Sequence, residues 1–405
     1  MEADRSPPCG GGGGRAPLLA FLITEDWFFA SHFLPMARAA REMGLDVLVI
    51  TRVRRHRAVL EAAGCRVIAL EAERRSLNPL AIAATFARLS AILAREKPAI
   101  LHMIALRSIL IGGFAARRAG VARRIFALTG LGFLGARRDQ VGKRARGIIR
   151  AAMRGVLRNA TTVFLFENVD DVRRLGLEPG DPSVAVVGGA GVDPDAFAPA
   201  PLPPQPPLKV AVVARMLWSK GIDLAVAATR LARAQGAAVE LSLYGAPDPS
   251  NPKAIPEATL RQWAAEPGIA WHGRSDDVPA VWRDHHVACL PSRGGEGLPR
   301  TLLEAAACGR AIVTTDVPGC RSFVRDGIDG RVVAVDDAAA VAAALMEFAG
   351  DPGRVAACGA AARARLLDGH TERAVMDDVK AIYARLLAAP LPAGPAAAAP
   401  RSAAA

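Results

Sequence analysis

Short apolar runs, each followed by a stretch of helical periodicity, recur through most of the chain. Leu18 to Thr24 is the first, and its unbroken hydrophobicity is the pattern of a strand buried on both faces. LDVLVIT, RVIAL, AILHM and RIFAL repeat it. Helical stretches fall between them: PMARAAREMG, a segment near 57–63, Pro79 to Glu96, and RSILIGGFAARRAG. TEDWFFASHFLP, after the first strand, reads as a loop. A parallel neighbour needs a crossover connection, so strands alternating with helices imply βαβ units with helices on both faces of the sheet. A second alternating block starts at LKVAVVAR and ends near Leu367. The expected fold class is α/β, with two Rossmann-like doubly wound domains facing a cleft.

Turn-forming and low-complexity segments supply the boundaries. Residues 1–16 and 389–405 are tails too poor in periodic hydrophobicity to order themselves. The Pro-rich APAPLPPQPP at 198–207 is a linker, separating a domain over 17–197 from one over 208–367. A last helical stretch, 368–388, is positioned to cross back to the first domain.

At 405 residues the chain is long enough for two cores. Its longest apolar run, Ser108 to Ala116, is too short to span a bilayer and is flanked by arginines. MEADRSPPCGGGGGR lacks the apolar centre of a signal peptide, and six cysteines form no C-x-x-C pair, so the expected location is cytoplasmic with no metal site. A formal net charge of +12 draws a protein towards nucleic acid or anionic membrane, and clustering separates the two. The charge gathers in RRDQVGKRARGIIRAAMRGVLRN at 137–159, where Val141, Ala145, Ile148, Ala152, Met153 and Val156 form a stripe at helical spacing. A basic amphipathic helix reads as a membrane-surface element, with Arg138, Lys143, Arg144, Arg146 and Arg150 as contacts. A sheet-packed helix with an arginine-rich outer face is compatible with that. No nucleic-acid module accompanies the charge, so nucleic acid is not an expected partner.

The densest chemistry lies in PSRGGEGLPRTLLEAAACGRAIVTTDVPG, Pro291 to Gly319. The strand HVACLP runs into Ser292, Arg293, Gly294 and Gly295, then Glu296, Gly297 and Leu298, and a helix is expected from Pro299. That helix carries Glu304 and ends at Gly309, before the buried strand AIVTT. A glycine loop between a strand and a helix N-terminus aims free N–H groups and the helix dipole at one spot, which suits an anion. Glu296 and Glu304 do not bind anions, but carboxylates accept hydrogen bonds from the vicinal hydroxyls of a sugar or ribose. Either alone is an ordinary charged residue. Together on one strand–loop–helix they point to a sugar nucleotide.

These residues resemble the signature of the family-4 retaining glycosyltransferases: a Glu, seven residues and a second Glu, within PS-x-x-x-EGLP-x-x-LLEA-x-A-x-G. They are most similar to the bacterial branch that builds lipid-linked oligosaccharides. The resemblance spans roughly 17–388 and is most specific in the second half. It implies a GT-B architecture in which 17–197 binds the acceptor and 208–367 binds a nucleotide sugar. The reaction it implies is transfer, with retention, from an NDP-sugar, UDP-linked in the first instance, to a polyprenyl-diphosphate saccharide. No metal or cofactor is implied beyond the donor itself, and the location becomes peripheral, on the inner face of the cytoplasmic membrane.

Arg215 and Lys220, in VVARMLWSKGIDLAVAA, lie on the loop leaving the second domain's first strand, at the carboxyl edge where open parallel sheets bind ligands. Solvated surface charge is the plain alternative. The family's R-x-x-x-x-KG pattern assigns them to the donor diphosphate. The resemblance also gives Glu304 the ribose hydroxyls and Glu296 the donor sugar, with Gly297, Leu298 and Pro299 alongside. His102, read at the end of AILHM, takes a catalytic place near the donor sugar, although a lone histidine is more often structural. Gly191, Val192 and Asp193 in GGAGVDPDAF shape the cleft wall and hinge, and TGLGFLG at 129–135 is a second cleft loop. Trp27 and Phe28 are either core or acceptor groove, with Glu25 and His32 beside them as acceptor ligands or a base. Relatives follow Arg321 with Glu, where this chain has Ser322. The rival functions are a nucleotide-sugar epimerase of the same architecture, which needs no acceptor, and a sugar-nucleotide-binding protein that turns nothing over.

Overall fold

The computed structural model describes residues 16–71, 78–130, 140–248 and 251–390. Its first sheet holds β1 (Leu18–Glu25), β2 (Asp46–Arg52), β3 (Arg66–Ala69), β4 (Ile100–Ile104), β5 (Arg124–Leu128), β6 (Thr162–Phe166) and β7 (Val184–Val186). All pairs are parallel, in the order β3-β2-β1-β4-β5-β6-β7. The second sheet holds β8 (Leu208–Val213), β9 (Val239–Tyr244), β10 (Ile269–Gly273), β11 (Val287–Leu290), β12 (Ala311–Thr315) and β13 (Gly330–Val333). It too is parallel, in the order β10-β9-β8-β11-β12-β13. Strand order reverses between β1 and β4 and between β8 and β11, so the ligand crevices of both sheets open at the carboxyl ends of those strands.

Among the described residues the helices of the first half are α1 (Asp26–His32), α2 (Leu34–Glu42), α3 (Arg57–Ala62), α4 (Pro79–Glu96), α5 (Leu106–Arg118), α6 (Gln140–Ala151) and α7 (Val169–Arg174). A π-helical segment, Ala152–Leu157, continues α6. The second half adds α8 (Ile222–Ala234), α9 (Glu257–Ala264), α10 (Val278–Arg283), α11 (Arg300–Ala307), α12 (Pro318–Arg321), α13 (Ala338–Gly350), α14 (Pro352–Leu367) and α15 (Glu372–Ala388).

Alternate residues of β1 feed two cores. Leu19, Phe21 and Ile23 face α1, α2 and α15, whereas Ala20 and Leu22 face α4 and α5. Covering both faces is why a parallel strand reads as a continuous apolar run. On α15, Val375, Val379, Ile382 and Leu386 line one helical face and are buried against the first sheet. Each such side chain contributes about 1.5–3 kcal/mol, so the C-terminal helix is anchored in the N-terminal core. The chain reaches it through a bridge between Val192 and Thr371. Gly191, at φ +67°, allows the approach, because a Cβ there would lie 2.7 Å from Glu372 Cα.

Several local expectations are corrected. The loop expected over TEDWFFASHFLP is helical, as α1 and α2. Its starting point is Asp26, whose buried carboxylate accepts from the N–H groups of Trp27, Arg54, Arg55 and His56 at 2.7–3.0 Å. Burial alone raises its pKa, yet these donors hold it below the usual value. Pro299 is the cap preceding α11 rather than its first residue. The basic stripe also turns: Met153 and Leu157 are buried with Ile149 packed beside them, while Ile148 is 71% exposed and Val156 44%. Arg144 and Arg150 are exposed on α6. Arg138 lies outside the described residues, as do the side chains of Lys143 and Arg146, most of TGLGFLG and nearly all of both tails.

Candidate active site

The donor-type motif folds as read: β11 runs out at Leu290, a loop crosses 291–299, and α11 follows. A short 3₁₀ turn, Trp218–Lys220, lies against this loop. Gly221 makes that approach possible, since it sits at φ +69° and a Cβ there would be 1.9 Å from the carbonyl oxygen of Pro291. Arg293 ties the two loops together, with both oxygens of Asp223 at 2.7 Å and the Trp218 carbonyl at 2.5 Å.

This packing aims Lys220 at Glu296. Lys220 Nζ donates to both carboxylate oxygens, at 2.7 and 2.8 Å, and the Ser292 hydroxyl donates to Oε1 at 2.8 Å. The pair is largely shielded from solvent, at 17% and 12% exposure. One turn into α11, Arg300 Nε pairs with Glu304 at 2.7 Å. Burial raises the Glu304 pKa, and the charge of Arg300 opposes that rise.

Across the cleft stands α1. The Arg215 guanidinium lies 5.6 Å from the centre of the Trp27 ring, in cation–π range, and pairs with Asp248 at 3.3 Å. Arg300 also donates to the Ser31 carbonyl. His32 is hydrogen-bonded to the Ser31 hydroxyl at 2.6 Å. Burial, with the charges of Arg300, Lys220 and Arg215, pushes its pKa down to about 3, so the ring is neutral at physiological pH. Phe28 packs beside it, with ring centroids 4.7 Å apart. Trp27, Phe28 and His32 are therefore brought together with Arg215, Lys220, Glu296 and Glu304.

Two candidate residues are not brought there. His102 sits in the middle of β4, not at its end, paired in register with Phe21 and Ile125. It is fully buried, its Nδ1 is 3.0 Å from the Tyr383 hydroxyl of α15, and burial lowers its pKa to about 3. It therefore braces the C-terminal helix. Glu25, 6% exposed, is engaged with Arg52 at 3.1 Å. Ser322 bonds locally, its hydroxyl donating to the Gly319 carbonyl at 3.1 Å. Among the described residues no group of three His, Cys, Asp or Glu is arranged to hold a metal ion.

The sequence reading also missed an interdomain contact. Glu167 and Asn168, just past β6, meet the 297–298 backbone: Leu298 N–H donates to Glu167 at 2.7 Å, and Asn168 Nδ2 donates to the Gly297 carbonyl at 3.2 Å. The Leu298 N–H, within the loop whose N–H groups were expected free for an anion, is thus occupied by a carboxyl. Nearby, Arg321 bridges the halves to Asp170 at 2.9 Å. The available signal was position, since EN follows the apolar run TTVFLF at a carboxyl strand end.

Two parallel α/β halves facing each other across a cation-lined crevice make up the GT-B architecture. The family described as glycosyl transferases group 1 matches residues 207–351, and that described as glycosyl transferase 4-like matches 19–168. The chain belongs to this glycosyltransferase family. One relative, the N,N'-diacetylbacillosaminyl-diphospho-undecaprenol alpha-1,3-N-acetylgalactosaminyltransferase of Campylobacter jejuni, is 26% identical over 74% of this chain and 81% of its own length. Another, the GDP-mannose-dependent alpha-(1-6)-phosphatidylinositol monomannoside mannosyltransferase of Mycolicibacterium smegmatis, is 30% identical over 63% of this chain and 68% of its own. Among solved structures, sucrose-phosphate synthase from Thermosynechococcus elongatus superposes with a TM-score of 0.74 at 19% identity, covering 92% of this chain and all of that one. Anabaena HepE in complex with UDP-glucose gives 0.72 at 15% identity, covering 91% and 99%.

Proposed function

We propose that the protein moves a sugar, with retention of configuration, from a nucleoside-diphosphate sugar to a polyprenyl-diphosphate saccharide in glycan biosynthesis. The observation that carries this reading is the convergence of Arg215, Lys220 and Arg300 on α1 at His32. Three cations around one shielded crevice suit a diphosphate leaving group, whose growing charge is the main thing such a catalyst must stabilise. Lys220 has three N–H bonds and directs two at Glu296, which leaves one for a phosphate oxygen. Glu304 takes the ribose hydroxyls and Glu296 the donor sugar, beside Gly297, Leu298 and Pro299.

In this scheme the acceptor hydroxyl enters on the leaving-group face. The bond from the anomeric carbon to the diphosphate breaks as the glycosidic bond forms, and the departing phosphate oxygen takes the hydroxyl proton. Trp27, Phe28 and neutral His32 form the facing wall and suit an acceptor saccharide, which stacks on aromatic faces and hydrogen-bonds to imidazole. The names of the Campylobacter and Mycolicibacterium relatives specify lipid-linked acceptors, which supports the same class here. The Anabaena neighbour was captured with UDP-glucose, which makes UDP-sugars the first donors to test.

The deciding experiment is NDP release from a panel of UDP- and GDP-sugars, with and without a polyprenyl-diphosphate saccharide. Release that requires the lipid acceptor is the expected result. Conversion of donor to another sugar without acceptor would replace this reading with the epimerase, and UDP binding without turnover with any acceptor would leave a binding protein.

Among the described residues no helix is long and apolar enough to cross a membrane. A peripheral site on the inner face of the cytoplasmic membrane is supported by exposed Arg144, Arg150, Ile148 and Val156 around α6, with Phe114 of α5 44% exposed. Arginines near an anionic surface contribute about 1 kcal/mol each, so Arg144→Ala with Arg150→Ala should weaken binding to phosphatidylglycerol-containing vesicles ~30-fold. Equal flotation of variant and wild type would remove this face from the membrane.

A further inference from the structure

The loop leaving β6 contacts the donor motif at its tightest point. Gly297 is enclosed on three sides: a Cβ there would lie 2.0 Å from Glu167 Oε2 and 2.8 Å from the Thr129 carbonyl carbon. A Cβ on Gly130 would be 2.6 Å from Gly297 N, and one on Gly319 would be 1.8 Å from the Gly297 carbonyl oxygen. Backbone from both halves therefore meets at Gly297 with no room for a side chain. Within that contact, Glu167 receives the Leu298 N–H and Asn168 donates to the Gly297 carbonyl. Asn168 is itself fixed, because its side-chain oxygen accepts from Asp171 N–H at 2.8 Å and caps α7. The adjoining Asp170–Arg321 pair spans the same two elements.

We propose that Glu167 and Asn168 are positioning residues for sugar transfer: they grip the Gly297–Leu298 backbone and so fix Glu296 and Lys220 against α1 in the closed cleft. The proposal rests on 296–299 being the donor loop. Neither side chain needs to touch the reacting atoms. A grip on two consecutive peptide groups sets the height and rotation of the loop, and misplacing a reacting group by about 1 Å costs ~10²-fold in rate. Closure would then be completed by hydrogen bonds that form only when the halves meet, as in other hinged enzymes.

The surroundings of Glu167 give this grip a pH signature. Behind it lies a small, mostly apolar recess, with Phe33, Met36 of α2, Leu165, Phe166 and Val187 in its walls. Facing it are Glu296, paired with Lys220, from the donor loop, and Asp171, paired with Arg174, from α7, with the Asp170–Arg321 pair alongside. Burial, reinforced by Asp171 and Glu296 and opposed by the Leu298 N–H, pushes its pKa up to about 8. In an open, hydrated cleft the same carboxyl has its ordinary value, near 4.5. Closing therefore takes up a proton between those limits. It is easiest below the lower value and becomes harder as pH rises towards the upper one.

The test compares wild type, Glu167→Gln and Glu167→Ala by donor KM, kcat and ligand-free small-angle scattering between pH 5.5 and 9. Glutamine keeps an acceptor oxygen and cannot ionise. It should hold or lower the donor KM at pH 7 and abolish the rise that wild type shows as pH approaches 8. Alanine should raise donor KM about tenfold and enlarge the radius of gyration, with a melting temperature close to wild type. Three results would each overturn the proposal: no change of KM or of its pH profile in either variant, a fall in KM with alanine (the carboxyl then competes with donor for Leu298 N–H), or equal impairment by glutamine and alanine. If no sugar is transferred by any of the proteins, the proposed function fails while scattering still decides the grip: an unchanged radius of gyration in Glu167→Ala rejects it.

Discussion

Lys220→Met should lower kcat by ~10²–10³-fold while donor KM changes by less than tenfold. The reason is where the charge appears. A bound NDP-sugar already carries a diphosphate, but the oxygen leaving the anomeric carbon gains its negative charge only as that bond breaks. A cation fixed beside that oxygen therefore stabilises the transition state more than the ground state, and removing one such donor costs this order of magnitude. Lys220 is held in place by two hydrogen bonds to Glu296, at 2.7 and 2.8 Å, so little reorganisation is needed when charge develops. The same pair complicates the experiment, because methionine leaves the Glu296 carboxylate, 12% exposed, with the Ser292 hydroxyl as its remaining partner. A stability loss of about 1–3 kcal/mol is expected from that unpaired charge. Adding Glu296→Gln to Lys220→Met removes the stranded charge and should recover most of the melting temperature but none of the turnover. Full kcat in Lys220→Met would show that the cation does not meet the leaving group.

What could be read along the chain, and what could not, follows the sequence separation of the contacts involved. The strand–loop–helix from β11 to α11 is local. Its turn residues, cap and two carboxylates lie within one stretch, so the motif was legible down to Glu296 and Glu304. Its cap differed by one residue, Pro299 preceding the helix. The parallel sheets were legible in outline, because strands covered on both faces announce themselves as apolar runs, although β6 and β7 had not been picked out. His102 shows the limit. The expected strand AILHM ends at Met103, but β4 continues through Ile104, and the residue hydrogen-bonded to His102 is Tyr383, 281 positions later. No local pattern tells a histidine facing a distant helix from one facing a ligand.

Helix α1 failed for a different reason. DWFFASH is aromatic-rich and weak in intrinsic helix propensity, yet it is helical, and the Asp26 carboxylate at its first residue is tied to the N–H groups of Arg54, Arg55 and His56 in the loop before α3. Tertiary context overrode local preference. The placement of Glu167 opposite Leu298, 131 positions apart, is again a product of two folded halves meeting. Arg300 was within reach: its spacing of four residues from Glu304 is the helical ion-pair spacing, and the pair forms at 2.7 Å.

Gly297→Ala should cost the enzyme ~10²-fold or more in kcat/KM while leaving each half folded. The added methyl enters the contact between the halves rather than either hydrophobic core. It would lie 2.0 Å from Glu167 Oε2 and 2.8 Å from the Thr129 carbonyl carbon. The Glu167 side chain can rotate away, but only by giving up the Leu298 N–H. The Thr129 backbone cannot yield so cheaply, because it follows β5 directly. Relief then comes from separating the halves, which withdraws α1, with Trp27 and His32, from Arg215, Lys220 and Arg300. Displacement of a donor loop by about 1 Å already accounts for a loss of this size. The distinguishing readouts are an enlarged radius of gyration with near-wild-type helical content and melting temperature. Combining Gly297→Ala with Glu167→Ala removes the nearer clash but keeps the Thr129 one, so activity should recover in part and never fully. Wild-type turnover in Gly297→Ala would mean that the halves do not need to meet at this point for sugar to be transferred.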